Sequence, residues 1–495
     1  MTPAPAVTTV PAPLTLTPSA FEALTGGTWH WERRASDADP TSRAGARRSQ
    51  NFTIRGAAID SRLVREGILF ACLPGTKVDG HDFAAQAAAD GAALILAQRP
   101  LHLPVPVLVV ADVAAALLAL GAEARRRLPH TRWLAVGGAN GKTTTKELLA
   151  AACRGSGLPV HVTAGNFNNH LGVPLTLLAT PADAAYAVIE VGTNNPGEIA
   201  PLAAAVAPHH ALVTSIGPEH LEGFGDLAGV AREEASLFAA VAPDGTCLAG
   251  LHGLADHAQA HDTTVAAIAD LLRQPAGKRP FVLLDDALVP TGLGQAVHGL
   301  VGALGIRLET TDGLADLPLL GAHNLANAAL AFAAATAAGV APADALKGLS
   351  TAAPVAGRLV PRPAGLHLIL DDTYNANPAS MVAGLHALAK CPGAKLAILG
   401  FMGELGSASE AGHRSVGAAC AALGLPLITV NAPLIAAGAR AAGHPVGEVA
   451  DHHAATSLAK NRLAAGSTTV LVKASRSQAL ERVVDALLKF GSAPC

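Results

Sequence analysis

Apolar and polar positions alternate in a regular way along most of the chain. Apolar runs four to six residues long predict strands, and alanine-rich stretches with helical spacing follow most of them. The predicted strands are 133–137, 187–191, 211–216, 366–371, 396–399, 427–430 and 470–473. Strand–helix alternation favours parallel sheets with helices on both faces, so the predicted fold class is α/β.

The length of 495 residues predicts about three domains, at roughly 100–200 residues each. The first residues are rich in Pro, Thr and Ala and lack both a basic start and an apolar run, so we expect a disordered tail there rather than a secretory signal. The expected divisions are a tail over 1–18, an N-terminal domain over 19–111, a central domain over 112–353 and a C-terminal domain over 354–495. The charged stretch 32–48 is interpreted as a loop, and residues 251–318 show no clear signature.

Composition narrows the class of protein. The 35 basic and 38 acidic side chains nearly cancel, which argues against a nucleic-acid-binding protein. The alanine-rich run 325–340 is interpreted as a buried helix, and no stretch predicts membrane insertion. Six cysteines without a C-x-x-C pair indicate neither a zinc site nor a disulfide framework, so we expect reduced thiols in a cytoplasmic protein.

A glycine-rich turn between a predicted strand and a predicted helix carries the first candidate chemistry. Glycines let backbone N–H groups approach phosphate oxygens, Lys142 can reach the β- and γ-phosphates, and the Thr143 hydroxyl can hold Mg²⁺. Val136 stands where the longer standard pattern has glycine, so the loop is a shorter variant, and a chance turn is the alternative. The residues predicted to bind ATP here are Gly138, Ala139, Asn140, Gly141, Lys142, Thr143 and Thr144.

Two side chains follow the next predicted strands along the chain. Glu190 ends one strand, and His220 lies in the loop after the following strand. Ligands of open α/β sheets gather at the carboxyl ends of the strands. A carboxylate and an imidazole placed there can bind a cation, whereas either one alone is more often a surface or capping residue.

Together these motifs resemble the Mur ligases, which are ATP-dependent amino-acid ligases of peptidoglycan synthesis. The resemblance covers about residues 52–485 and is carried by Asn-Gly-Lys-Thr-Thr at 140–144, Asn-Phe-Asn-Asn-His at 166–170, His-Leu-Glu-Gly-Phe-Gly at 220–225, Gly-Ala-His-Asn-Leu-Ala-Asn at 321–327 and Asp-Asp-Thr-Tyr-Asn-Ala-Asn-Pro at 371–378. It implies a UDP-sugar-binding N-terminal α/β domain, a central P-loop ATPase-like domain with a parallel sheet, and a Rossmann-like C-terminal domain.

Within the family, three of these runs are similar to the ligases that add D-alanyl-D-alanine to UDP-N-acetylmuramoyl-tripeptide. The resemblance then implies ATP and two Mg²⁺ as cofactors, small-molecule partners and a monomer. The substrate carboxylate would attack the γ-phosphate, and the dipeptide amine would attack the resulting acyl phosphate. The third residue of the accepted peptide, lysine or diaminopimelate, stays open.

The resemblance also assigns roles to individual residues. It implies catalytic roles for Lys142, Glu190 and His220, and metal binding by Thr143, Glu190 and His220. Further ATP contacts are implied for Asn324, Asn327, Arg358 and Asp372. Substrate binding is implied for Ser61, Arg62, Asn168, Asn169, His170, Tyr374, Asn375, Asn377, Lys473, Ser475 and Arg476. A turn with a surface arginine at 61–62, and helix capping at 324 and 327, are the alternatives.

One position departs from the family pattern. Most Mur ligases carry a lysine about 14 residues after the metal-binding histidine, and its carbamate helps to bind a second Mg²⁺. Here that position is Glu234, whose carboxylate could take the same metal role, with Glu233 as the weaker candidate. Other hypotheses are a different Mur-type step, folylpolyglutamate synthetase, or a catalytically silent nucleotide-binding homologue. The segment 79–83, similar to the UDP-sugar-binding domain, disfavours the folate enzyme.

Overall fold

The structure is a computed structural model that describes residues 10–30, 51–75, 77–255, 263–285, 297–464 and 466–491. Its strands are β1 Leu14–Leu16, β2 Thr28–His30, β3 Phe52–Ile54, β4 Ala57–Ala58, β5 Leu69–Ala71, β6 Leu94–Ala97, β7 Val107–Val109, β8 Arg132–Gly137, β9 Val160–Val162, β10 Tyr186–Glu190, β11 His210–Val213, β12 Thr246–Gly250, β13 Phe281–Leu284, β14 Val297–Val301, β15 Ile306–Thr310, β16 Gly313–Leu317, β17 Val360–Ala364, β18 His367–Asp372, β19 Ala394–Gly400, β20 Leu427–Val430, β21 Val446–Val449 and β22 Thr468–Lys473. The α/β prediction and all seven predicted strands are confirmed, with ends shifted by a few residues at most.

Helices follow most of these strands. They are α1 Pro18–Thr25, α2 Ala84–Ala89, α3 Val113–Arg126, α4 Lys142–Arg154, α5 Gly172–Leu178, α6 Ile199–Val206, α7 Leu221–Phe224, α8 Leu227–Ala239, α9 Val265–Arg273, α10 Ala322–Ala337, α11 Pro342–Ser350, α12 Pro378–Lys390, α13 Ser409–Ala422, α14 Pro433–Ala441, α15 His452–Leu463 and α16 Glu481–Gly491. Several begin at a side-chain cap: Asp112, Asp226 and Asp451 each accept a hydrogen bond from a first-turn amide. In the part of the chain that the structure describes, no helix is both long and apolar enough to cross a membrane.

The chain forms two compact units. The first comprises Met1–Ala135, Leu158–Thr193 and Glu198–Pro208, and the second comprises Val136–Gly157, Asn194–Gly197 and His209–Cys495. These units do not follow the predicted domain divisions at residues 111 and 353, which stay predictions.

The first unit contains a five-stranded sheet in the order β2-β7-β6-β5-β4, parallel except for β2. Helices α1 and α3 cover an apolar core that includes Phe21, Leu96, Leu117 and Leu178. The expected tail over 1–18 is wrong from residue 14 onward, because β1 pairs with β3 and buries its leucines, and α1 begins at Pro18. Residues 1–9 and the predicted loop 32–48 lie outside the described residues.

The second unit contains a six-stranded sheet in the order β17-β18-β22-β19-β20-β21, parallel except for the edge strand β17. Successive residues of its central strands point to opposite faces, so Leu399 belongs to one core cluster and Ile398 to the other. Helices therefore cover both faces, as the continuous apolar runs predict. The same unit holds β11, β12 and β13 as parallel neighbours and α10, whose middle is buried as expected.

Candidate nucleotide site

The phosphate loop, residues 137–142, joins β8 to α4 as the sequence predicts. Gly138 has φ +116°, and a Cβ there would lie 2.3 Å from the Thr214 hydroxyl oxygen. Gly141 has φ +84°, and a Cβ there would lie 2.6 Å from the Asn327 side-chain oxygen. Both positions thus need glycine for backbone conformation and for space.

Three amides of the loop donate to acceptors within the protein. The Gly138 N–H donates to Glu234 Oε2 at 2.6 Å. The Ala139 N–H donates to the Ser215 carbonyl at 2.9 Å, and the Asn140 N–H donates to the Ser215 hydroxyl at 3.0 Å. Contacts of these amides with phosphate stay a prediction, while the first turn of α4 begins directly after them at Lys142.

Lys142 lies over its own loop. Its Nζ donates to the carbonyl of Gly138 and, at 3.3 Å, to that of Ala139. Glu219 Oε2 lies 3.7 Å from the same Nζ. Sequence reasoning missed Glu219, although it directly precedes His220 in the loop after β11.

Glu234 is fully buried on α8, the helix that also carries Glu233. Among the residues that the structure describes, its Oε1 has no hydrogen-bond partner, and neither has the buried Oε1 of Glu219. Burial, reinforced by the neighbouring glutamates, raises the pKa of Glu234 to about 8, against the opposing effects of Lys142 and the Gly138 N–H. The position therefore combines a desolvated carboxyl group with an unsatisfied oxygen beside the phosphate loop.

His220 precedes the short helix α7 with φ +45°, and its ring lies edge-on to Phe224 at 6.5 Å between centroids. Across the described ranges, no group of three or more His, Cys, Asp or Glu side chains is placed to hold a metal ion. The metal-binding role of His220 stays a prediction.

Residues of the 357–377 stretch lie against the phosphate loop within the second unit. Arg358 Nη2 donates to the Thr143 hydroxyl at 3.4 Å, and its guanidinium lies 4.2 Å from the centroid of the Tyr374 ring. The side-chain amide of Asn377 donates to Asn140 Oδ1 at 2.7 Å. The sequence-predicted residues from two distant segments are thus brought together.

Asn324 and Asn327 lie on the first turns of α10. Asn324 donates to the Leu320 carbonyl at 2.8 Å, and Asn327 donates to Asn324 Oδ1 at 3.2 Å. Neither caps the helix, since its N-cap is Gly321 and makes no side-chain bond. The capping alternative is therefore wrong, and Asn327 instead lies beside Gly141.

Asp372 and Lys473 form a buried ion pair of 2.8 Å. Asp372 Oδ1 also accepts from the Leu359 N–H at 3.1 Å, and Lys473 Nζ donates to the Asn375 carbonyl at 2.9 Å. Burial lowers the pKa of Lys473, and Asp372 opposes that change. These two side chains make structural contacts in addition to the ATP contact predicted for Asp372 and the substrate contact predicted for Lys473.

The remaining C-terminal predictions separate into buried and exposed residues. The Ser475 hydroxyl accepts from the Gly403 N–H at 2.8 Å and lies 3.4 Å from the Ala376 carbonyl. Arg476 is exposed, 3.6 Å from Glu481. The substrate contacts of both residues stay predictions.

In the first unit, Glu190 is buried at the end of β10. Its Oε1 accepts from the Asn168 side chain at 2.8 Å, and its N–H donates to the Thr163 hydroxyl at 2.9 Å. Asn169 Oδ1 accepts from the Gly172 N–H at 2.9 Å near the start of α5, whereas His170 is exposed.

The N-terminal prediction at 61–62 gains less support. Arg62 is exposed and makes short contacts with both carboxylate oxygens of Asp60, while Ser61 begins the turn that Asp60 caps. This geometry agrees with the alternative of a turn with a surface arginine. A diphosphate contact through Ser61 and Arg62 stays a prediction.

The fold and this site define an α/β nucleotide-binding protein with a phosphate loop. Residues 53–135 match the family description "Mur ligase family, catalytic domain", residues 136–269 match "Mur ligase middle domain", and residues 357–476 match "Mur ligase, glutamate ligase domain". The chain belongs to the Mur ligase family.

Individual relatives agree with this assignment. The Escherichia coli protein named UDP-N-acetylmuramoyl-tripeptide–D-alanyl-D-alanine ligase is 38% identical, over 89% of this chain and 95% of that protein. The Bacillus subtilis protein of the same name is 34% identical, over 74% of this chain and 78% of its own length. A crystal structure of MurF from Acinetobacter baumannii has a TM-score of 0.80 and 31% identity, covering 96% of this chain and 99% of that one. MurF from Thermotoga maritima in complex with ADP has a TM-score of 0.73 and 25% identity, covering 88% and 97%.

Proposed function

We propose that this protein is the ATP-dependent ligase that joins D-alanyl-D-alanine to UDP-N-acetylmuramoyl-tripeptide. The product is UDP-N-acetylmuramoyl-pentapeptide, the last precursor of peptidoglycan made in the cytoplasm. The observation that carries the proposal is the 38% identity to a ligase of this name along nearly the full length of both chains. The same proposal holds that the protein is a cytoplasmic monomer. It acts on small molecules and has neither nucleic-acid nor membrane partners.

The second unit supplies the nucleotide-binding groups. Lys142, Arg358 and the N-terminus of α4 would place positive charge around the phosphates of ATP, where a carboxylate must approach a triphosphate. The tripeptide carboxylate would take the γ-phosphoryl group, and the dipeptide amine would then displace phosphate to form the amide bond. Asn327, beside Gly141, would lie near the nucleotide.

Mg²⁺ fits the residues of this unit. Carboxylate and hydroxyl oxygens suit Mg²⁺, and the buried Oε1 atoms of Glu234 and Glu219 lack hydrogen-bond partners in the described ranges of the chain. Thr143, His220 and Glu234 would hold Mg²⁺. The metal-binding role of Glu190 stays a separate prediction from the sequence. When bound, Mg²⁺ neutralises the charge that builds up between the carboxylate and the triphosphate.

The test is phosphate release from ATP with Mg²⁺, UDP-N-acetylmuramoyl-tripeptide and D-alanyl-D-alanine, omitting each component in turn. Release that needs both substrates is expected. Release that needs another amino acid would keep the family and reassign the step. Nucleotide binding without release would favour a silent homologue, the second candidate, which the glutamate at position 234 favours.

Lys142→Ala is the matched loss-of-function variant for this assay. It should lower turnover by about a thousandfold or more, because it removes the cation that faces the transferred phosphoryl group. Circular dichroism should show an unchanged fold. Loss of the fold together with turnover would leave the catalytic assignment of Lys142 unsupported.

A further inference from the structure

The geometry points to Glu234 as a positioning residue that fixes the phosphate loop by holding the Gly138 peptide. The inference rests on the proposed function in one respect: the loop is taken to bind ATP. It goes beyond a metal-binding role, because Glu234 would act through Gly138 and with no cation bound.

Gly138 is held from two sides, by an acid at its N–H and by a cation at its C=O. Its N–H donates to the Glu234 carboxyl group, and its C=O accepts from the Lys142 ammonium. The positive end of one backbone dipole thus faces an acid, and the negative end of the next faces a cation. The bond from the Lys142 ammonium is charge-assisted, and the two contacts together hold Gly138 in a backbone conformation that few residues adopt.

The surroundings of Glu234 indicate that this contact is the reason for its carboxyl group. The buried face of α8 is otherwise apolar, with Val230, Ala235 and Phe238 as members. Burying a carboxyl group there costs free energy that an apolar side chain would avoid. The bond to Gly138 offsets part of this cost. No other hydrogen bond reaches the Glu234 carboxyl group in the described part of the chain, so this bond is its one compensating contact there.

The adjacent glutamate provides a matched control. Glu233 is half-buried on the same helix, and its Oε2 accepts from the Gly197 N–H at 2.8 Å, away from the phosphate loop. Removing its carboxyl group changes the charge near Glu234 without touching the Gly138 peptide.

Hydrogen–deuterium exchange in the nucleotide-free protein tests the contact directly. The substitution E234M removes the acceptor at similar volume, and E234Q keeps an acceptor but removes the charge. E234M should accelerate exchange of the peptide 136–142 by about tenfold or more, E234Q by about threefold at most, and E233A not at all. If E234M does not fold, E234A takes its place.

Nucleotide binding gives the second readout. With EDTA present, E234M should weaken ADP binding by about tenfold, and E234Q should stay within about threefold of wild type. In turnover, E234M should raise the KM for ATP and leave the KM for D-alanyl-D-alanine unchanged.

Two outcomes would overturn the inference. Unchanged exchange in E234M would show that the carboxyl group does not hold the loop. Equal damage from E234Q and E234M, relieved by raised Mg²⁺, would show that the charge serves a cation instead. Because exchange needs no catalysis, a wild-type protein without ligase activity would contradict the proposed function while still testing Glu234.

Discussion

Among single residues, Lys473 shows how much an interior charge depends on its partner. Its side chain is 3% exposed, and its ammonium group lies 2.8 Å from the carboxylate of Asp372. Lys473→Met should lower the free energy of unfolding by about 3–5 kcal/mol, because it leaves Asp372 buried and unpaired. Urea denaturation measures the change.

The double variant Lys473→Met/Asp372→Asn is the control for that substitution. It removes both charges, so it should recover part of the lost stability. A double variant less stable than the single one would mean that the two side chains are not coupled as the ion pair indicates.

The phosphate loop and its neighbours differ in how far the sequence predicts them. The loop 137–142 is predictable because strand, glycines, lysine and helix are adjacent in the chain. The contact of Glu219 with Lys142 and the acceptor role of Glu234 are not predictable. The first joins residues 77 positions apart, and the second joins Glu234 to Gly138 across 96 positions. At Arg62, a local contact with Asp60 engages the side chain that the motif assigns to substrate, and the substrate contact stays a prediction.

Asn377, at the start of helix α12, makes two different contacts with its side chain. Asn377 Oδ1 accepts from the Ser380 N–H, which caps the helix, while Nδ2 donates to Asn140 in the phosphate loop. Asn377→Ser should keep the cap and lose the reach to Asn140. We therefore expect unchanged thermal stability and a raised KM for ATP.

Asn377→Ala is the comparison variant. It loses the cap as well, so the free energy of unfolding should fall by a further amount of about 1 kcal/mol. A KM for ATP that stays at the wild-type value in both variants would show that the contact with Asn140 has no part in nucleotide binding.

Helix α13 holds the loop after β19 through a buried histidine. His413 Nε2 accepts from the Met402 N–H at 2.9 Å, and Nδ1 lies 2.6 Å from the Ser409 carbonyl. Burial lowers the pKa of His413 below its ordinary 6.5. The unfolded chain therefore binds this proton more readily than the folded protein does. The contribution of His413 to the free energy of unfolding is full above about pH 6.5 and is lost as the pH drops below that value.

Urea unfolding at pH 7.5 and pH 5 checks this expectation. His413→Gln should show a smaller loss of stability between the two pH values than wild type, because it cannot take up the proton. An identical pH dependence in both proteins would place the titrating group elsewhere.

The three-stranded antiparallel sheet β14-β15-β16 is one part of the fold that the sequence did not predict. Its strands fall in the stretch 251–318, where Gly299, Gly302 and Gly305 interrupt the apolar pattern. Pairing between neighbouring strands, rather than a continuous apolar run, creates this sheet. The parallel strands of the second unit are covered by helices on both faces, so nearly all of their residues are apolar. Such continuous apolar runs can be recognised in the sequence.

The reactivity of the cysteine thiols measures how well the interiors of both units are formed. All five described cysteines are buried, and burial raises the thiol pKa to about 12 at Cys72, Cys153, Cys247 and Cys420. They should react with DTNB at pH 8 orders of magnitude more slowly in the native protein than in urea, because both thiolate formation and access are suppressed.

A Cys495→Ser background removes the thiol that lies outside the described residues. Mass spectrometry of each labelled cysteine would then follow Cys72 in the first unit separately from the four in the second. Fast labelling of any of the five under native conditions would contradict the burial described for it.

The path of the chain through the two units has a consequence for dissecting the protein. The chain passes from one unit to the other at residues 135, 157, 193, 197 and 208, so no single cut separates them. A fragment ending at residue 135 would lack α5, whose Leu178 belongs to the apolar core around Leu117 and whose Pro174 packs on Gly121. The part of the protein expected to bind the sugar nucleotide therefore needs later segments of the chain, 158–193 and 198–208, to complete its unit, so it cannot be expressed as a contiguous N-terminal piece without losing part of its core.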